Sequence, residues 1–232
     1  NHLNKYLMAL LSTQMLLSLF AQCAADVAPE TLHTVIGVES SRNPYAIAVV
    51  YDRDVKEEDK FKFKQPQSEE EALETIAKLE NHPTKHRSYS VGLMQVNSKN
   101  FTEYGMNKSN MFQACKNIEA GAGIFKACYA SAQKNNPNKP EQDLLRLAAS
   151  CYYSGNEIRG FKKEKDGSSY VDRINKSAVK TYKVPAIKPL TESDNSGSPS
   201  NEVAVQQTTS IQAPQAPAPQ AKPWDVFGDF RR

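Results

Sequence analysis

The sequence predicts a mainly α-helical domain with a small β hairpin, followed by a disordered Pro-rich tail. Three observations carry this expectation. Apolar residues recur at helical spacing in five segments between residues 27 and 184. One stretch, residues 46–64, is instead rich in β-branched and alternating residues. Beyond about residue 185 the apolar pattern gives way to Pro, Gln, Ser, Asn and Ala.

The chain opens with Lys5 and an apolar run, LMALLSTQMLLSLFA, followed by QCAAD. A positive flank, an apolar stretch and small residues read as a signal peptide over residues 1–25, with cleavage after Ala25 or, alternatively, Ala21. Ser12, Thr13 and Gln14 interrupt the run, so no stable membrane span is expected once the leader is removed. Gln22 precedes Cys23 where lipid attachment would favour a small residue.

Residues 26–184 read as the folded domain. Leu32, Val35, Ile36 and Glu39 share one helical spacing in residues 27–43. Pro29 suits the first turn, and Pro44 ends the segment. Next, AIAVVY and FKFK flank the charged turn DRDVKEEDK and read as the hairpin. Ser68 and Glu71 form a capping box for the helix EEEALETIAKLE. Residues 116–134, 141–153 and 170–183 read as three further helices; Ile118, Ala122, Phe125 and Tyr129 share a face of the first. The tail, residues 185–232, cannot bury enough apolar surface to offset its ordering entropy. It ends in PWDVFGDFRR, with the chain's single Trp, which reads either as a short docking motif or as an inert end.

Export would place the chain in an oxidising compartment. Loss of the leader leaves Cys115, Cys128 and Cys151. Were one helix to join Cys115 and Cys128, its rise of ~1.5 Å per residue would hold them roughly 20 Å apart, beyond disulfide reach. Cys151 is then the expected partner of one of them, with the choice open and three buried thiols as the alternative.

A net charge of +3, with both signs interspersed, gives no case for nucleic acid. His2, His33, His82 and His86 are not grouped at ligand spacing, so neither metal nor cofactor is expected. Gly-rich phosphate loops and Ser-His-Asp patterns are absent from the sequence.

The chemistry concentrates on Glu39. A carboxyl among Val35, Ile36 and Val38 would have its pKa raised by apolar surroundings, as a general acid near neutral pH requires. A lone Glu on such a face is more often structural. Its company changes the reading: ESSRNPYA (39–46), SVGLMQVN (90–97), NIEAGAGIF (117–125) and ASCYYSGN (149–156) follow in order. These segments resemble the lytic transglycosylase family, whose fold is related to goose-type lysozyme. The resemblance runs from about residue 30 to 176. The long interval between Pro44 and Gly92, the spelling CYYSGN and the Pro-rich tail resemble the branch that serves type IV secretion systems of Gram-negative bacteria.

The resemblance implies a lysozyme-like α+β domain, a periplasmic location, and cleavage of the MurNAc–GlcNAc β-1,4 bond in peptidoglycan to a 1,6-anhydro end. It makes Glu39 both acid and base. It also implies substrate contacts from Gln95, Tyr152, Gly92, Met94 and Ser90, with Tyr152 contacting substrate or orienting Glu39. Asn117 and Asn156 are implied as structural supports. Peptidoglycan strands and secretion-machinery proteins, the latter through the tail, are the implied partners. The chain departs from the family at Tyr153, where an Asn is usual, and near Ala48, where a Ser is usual; Ser90 is the candidate replacement. Two other readings are a lysozyme-type hydrolase and a non-enzymatic peptidoglycan-binding assembly factor.

Overall fold

The computed structural model describes residues 10–181, with side chains through Ala178. Residues 1–9, which include Lys5 of the expected leader, and the tail 185–232 lie outside the described residues. Among the described residues there are six α-helices and one small antiparallel sheet. The helices are α1 (Thr13–Cys23), α2 (Pro29–Glu39), α3 (Glu69–Glu80), α4 (Ala114–Asn135), α5 (Glu141–Ser154) and α6 (Tyr170–Thr181). The strands are β1 (Ile47–Val50), β2 (Ser88–Val91) and β3 (Val96–Asn97), in the order β1-β2-β3. No helix of the described residues is long and apolar enough to cross a membrane.

The C-terminal half of the expected leader is packed into the fold. Residues 13–23 form α1, capped by Ser12, whose Oγ accepts from Met15 N–H at 3.2 Å. Leu16 and Phe20 are fully buried in the core, and Cys23 is bonded to Cys115 at the start of α4. Leu11 N–H donates to the Arg42 carbonyl at 3.1 Å, and Arg42 Nη1 donates to Thr13 Oγ1 at 3.0 Å. Cutting after Ala25 would therefore remove three core side chains, Leu16, Phe20 and Ala24, half of one disulfide and a brace on the turn that follows Glu39.

The second disulfide joins Cys128 on α4 to Cys151 on α5, with Cα atoms 5.7 Å apart. Of the two pairings left open, Cys151 takes Cys128. Cys115 and Cys128 lie on one helix, as their separation requires, and each pairs elsewhere.

The hairpin is corrected. β1 pairs with β2, in the register Ala48↔Ser90, and not with FKFK. Residues 61–66 run beside β1 without strand geometry. The Gln65 side chain replaces the ladder there: its Oε1 accepts from Ile47 N–H at 2.9 Å and its Nε2 donates to the Ile47 carbonyl at 2.8 Å. α2 also stops earlier than Asn43. Ser41 and Arg42 have φ of 50° and 71°, a left-handed turn that no helix continues.

Ser68 caps α3 as expected, its Oγ accepting from Glu71 N–H at 3.2 Å, but the return bond of the box is shifted by one residue: Glu71 Oε2 accepts from Gln67 N–H at 2.8 Å. Ile118, Ala122, Phe125 and Tyr129 are all buried along α4, which packs against α5 and α1. The fold is thus mainly α with a small sheet, and the sheet stands beside the end of α2.

Candidate active site

Glu39 is the last residue of α2. Its carboxyl lies on a groove of about 260 Å³ lined by Ala48, Val50, Ser90, Gln95, Val96, Asn97, Asn100, Ile124, Tyr152 and Tyr153. One wall is the sheet, and the other is the α4–α5 pair. Burial raises the Glu39 pKa to about 7; a hydrogen bond from Tyr170 and the charge of Arg173 oppose that rise. Standing at the carbonyl end of a helix disfavours the carboxylate further.

Tyr170, the first residue of α6, donates its hydroxyl to Glu39 Oε1 at 2.5 Å. It is almost fully buried, and its ring stacks on Tyr153 at 4.5 Å with a 10° interplanar angle. Arg173 lies over the same ring at 5.8 Å and donates to Glu164 at 2.8 Å. One carboxyl oxygen of Glu39 is thus fixed by a locked ring.

Of the residues expected at the site, Gln95, Tyr152 and Ser90 line the groove with Glu39. Ser90 stands across the ladder from Ala48, the position near which the family has its Ser. Its Oγ accepts from Asn97 Nδ2 at 3.2 Å. Gln95 takes a left-handed backbone, φ 49°, and its Nε2 donates to the carbonyls of Ala46 at 2.9 Å and Gly92 at 3.1 Å. Its Oε1 is the acceptor left for a ligand. Tyr152 lines the groove with its ring, but its hydroxyl donates to the Met94 carbonyl at 2.6 Å. Orientation of Glu39 falls to Tyr170 instead.

Gly92 and Met94 are not in the groove. Met94 is fully buried, and a Cβ on Gly121 would lie 2.6 Å from the Met94 Cβ. Gly92 has φ 79°, and a Cβ there would lie 2.4 Å from Asn117 Nδ2. The glycine admits a side chain of this protein, not a glycan. Asn117 is buried between the loop 92–95 and α4. Its Oδ1 accepts from Met94 N–H at 2.9 Å, and its Nδ2 donates to the carbonyls of Val91 at 2.8 Å and Met111 at 3.2 Å. This explains the spacing in NIEAG: Asn117 holds the loop 92–95 against α4, and Gly121, one turn on, leaves room for Met94. Asn156 Oδ1 accepts from the N–H groups of Ile158 and Arg159 at 2.8 and 3.0 Å, shaping the loop after α5. Glu119 is exposed and faces Lys116 at 3.5 Å.

Sequence reasoning missed Tyr170, Ile124 and Asn97. Tyr170, Ile174 and Ala178 form the buried stripe of α6, and that period was the available signal for the first of them. Among the described residues no group of three or more His, Cys, Asp or Glu could hold a metal ion.

The groove can supply one proton near neutral pH and take one back, from a single carboxyl held by a tyrosine. The family described as Transglycosylase SLT domain matches residues 17–174, a span that opens within α1. Among curated relatives, the type IV secretion system protein virB1 of Brucella suis is 41% identical over 174 residues, covering 75% of this chain and 68% of its own length. The same-named protein of Brucella abortus is 40% identical over 174 residues, with the same coverage. Protein virB1 of Rhizobium radiobacter is 28% identical over 211 residues, covering 91% of this chain and 71% of its own. No solved structure matches the chain.

Proposed function

The chain belongs to the transglycosylase SLT family, and on that premise we propose that it is a peptidoglycan lytic transglycosylase that opens the cell wall for a type IV secretion system. The observation that carries the chemistry is the Glu39 carboxyl, held near pKa 7 on a groove. Among the described residues lining that groove it is the single carboxyl.

One carboxyl suffices for an intramolecular reaction. The Glu39 proton passes to the glycosidic oxygen as the bond to C1 of N-acetylmuramic acid breaks. The resulting carboxylate accepts the proton of the C6 hydroxyl as O6 bonds to C1. Glu39 returns to its starting state, the product is a 1,6-anhydro sugar, and no water is consumed. A hydrolase of the usual kind needs a second carboxylate for nucleophile or base, and a pure binding factor needs no acid poised at neutral pH. Ser90 and Gln95 are assigned to hydroxyl and acetamido groups of the glycan, and the Tyr152 and Ile124 side chains to sugar faces.

The role in secretion is supported by the relatives' name. Location in the periplasm is supported by the two disulfides, Cys23–Cys115 and Cys128–Cys151, which need an oxidising compartment. With α1 in the fold, any leader ends before it. The tail 185–232 is proposed to recruit the machinery through its aromatic end.

Digestion of purified peptidoglycan tests the assignment. Wild type is expected to release soluble fragments and the Glu39→Gln protein, folded by its melting curve, none. Equal release by both would remove Glu39 from the reaction.

A further inference from the structure

A second cleft of about 560 Å³ adjoins the groove, and Tyr153 lines both. Its charge is not balanced. Arg53 reaches it from the loop after β1, and Arg159, Lys162 and Lys163 reach it from the loop between α5 and α6. Lys163 is paired with Asp172, and the cleft's carboxylate, Glu164, is paired with Arg173 and bonded to Tyr153. Among the described residues no ion pair holds Arg53, Arg159 or Lys162.

Cations brought to one concavity from two separate loops repel each other. A solvated face would spread them. Ile158, 68% exposed, adds an apolar patch to the same wall. A ligand that matches these features is an extended chain with carboxylates and short apolar side chains. The cleft's place narrows the choice. Tyr153 stacks on Tyr170, and Tyr170 donates to Glu39, so the cleft begins one ring beyond the residue that holds the acid.

We propose that the cleft of Arg53, Arg159 and Lys162 binds the free carboxylates of the stem peptide attached to the N-acetylmuramic acid at the reaction centre. The inference rests on the reading of Glu39 as the acid that cleaves peptidoglycan. It adds a specificity: intact, peptide-bearing strands are preferred over bare glycan, and amidated stems bind less well than acidic ones. Exposed cation–carboxylate pairs are individually weak and salt-sensitive, so the three act as a set.

Binding and cleavage are to be read separately. In the Glu39→Gln background, co-sedimentation is measured with intact sacculi, with sacculi whose carboxylates have been amidated, and with strands stripped of stem peptides. The Arg53→Ala, Arg159→Ala, Lys162→Ala triple variant is compared on each, with its melting curve as the check on folding. The triple variant is expected to lose roughly tenfold in affinity for intact sacculi and nothing on stripped strands. Amidation of the sacculi, or about 0.5 M salt, should erase the difference. No loss on intact sacculi, or equal loss on stripped strands, overturns the proposal. A wild type that binds in this pattern but cleaves nothing would overturn the assigned reaction and leave the cleft standing.

Discussion

Replacing Glu39 by Gln should remove activity and stabilise the protein, and the stabilisation should depend on pH. The side chain keeps its size, and its Oε1 can still accept from Tyr170, which donates at 2.5 Å. What disappears is the ionisation. The Glu39 pKa rises from 4.5 to about 7 on folding. A carboxyl with a raised folded pKa favours the folded state while protonated, so the cost of ionising it is absent below about pH 4.5. That cost grows as pH climbs to about 7 and is constant above. The shift corresponds to about 3 kcal/mol, or roughly 6–12 °C in Tm for a domain of this size. Melting curves of wild type and variant at pH 4 and pH 8 read it directly. The Tm difference, variant minus wild type, should increase by that amount between the two. A difference that does not change with pH, or one that moves the other way, would refute the account of Glu39 as a buried acid.

Further expectations follow from other residues. Wild-type kcat/KM should fall about tenfold per pH unit above about pH 7, where Glu39 loses its proton. Tyr170→Phe removes a hydrogen bond that lowers the Glu39 pKa, so the alkaline limb of the pH–rate profile should shift upward while kcat drops; an unmoved limb would free Tyr170 of the positioning role. Asn117→Ala strands Met94 N–H and two carbonyls in the core, at roughly 2–4 kcal/mol by denaturant unfolding. Gly121→Ala forces a Cβ to within 2.6 Å of Met94 and should cost about 1–3 kcal/mol. A chain starting at Asp26 loses Leu16, Phe20 and the Cys23–Cys115 bond, and should melt well below one starting at Leu10; equal melting would restore the leader boundary at Ala25.

The helices were legible because each buries a periodic stripe, and the site because Glu39 and its loop partners sit in short, ordered motifs. What failed did so for physical reasons. LMALLSTQMLLSLFA satisfies a leader's apolar core and a buried amphipathic helix equally well. The cysteines held the correction: without Cys23 their number is odd, and with it every one is paired. FKFK alternates like a strand, yet the partner of β1 lies some forty residues on, at Ser88–Val91, and pairing across such a span leaves no local mark. Gly92 and Met94 were read as lining the glycan because their motif touches the site. The work of residues 92–95 is instead to fold the loop onto α4, and of these four Gln95 is the one that lines the groove.

The central claim is that Glu39 serves as acid and base in turn, with the substrate's own C6 hydroxyl as nucleophile. Peptidoglycan digested in ¹⁸O-water, with the Glu39→Gln protein as control, tests it through the mass of the new glycan ends. The account predicts 1,6-anhydro ends carrying no ¹⁸O, and no new ends from the variant. Reducing ends one labelled water heavier would contradict it and make the protein a hydrolase.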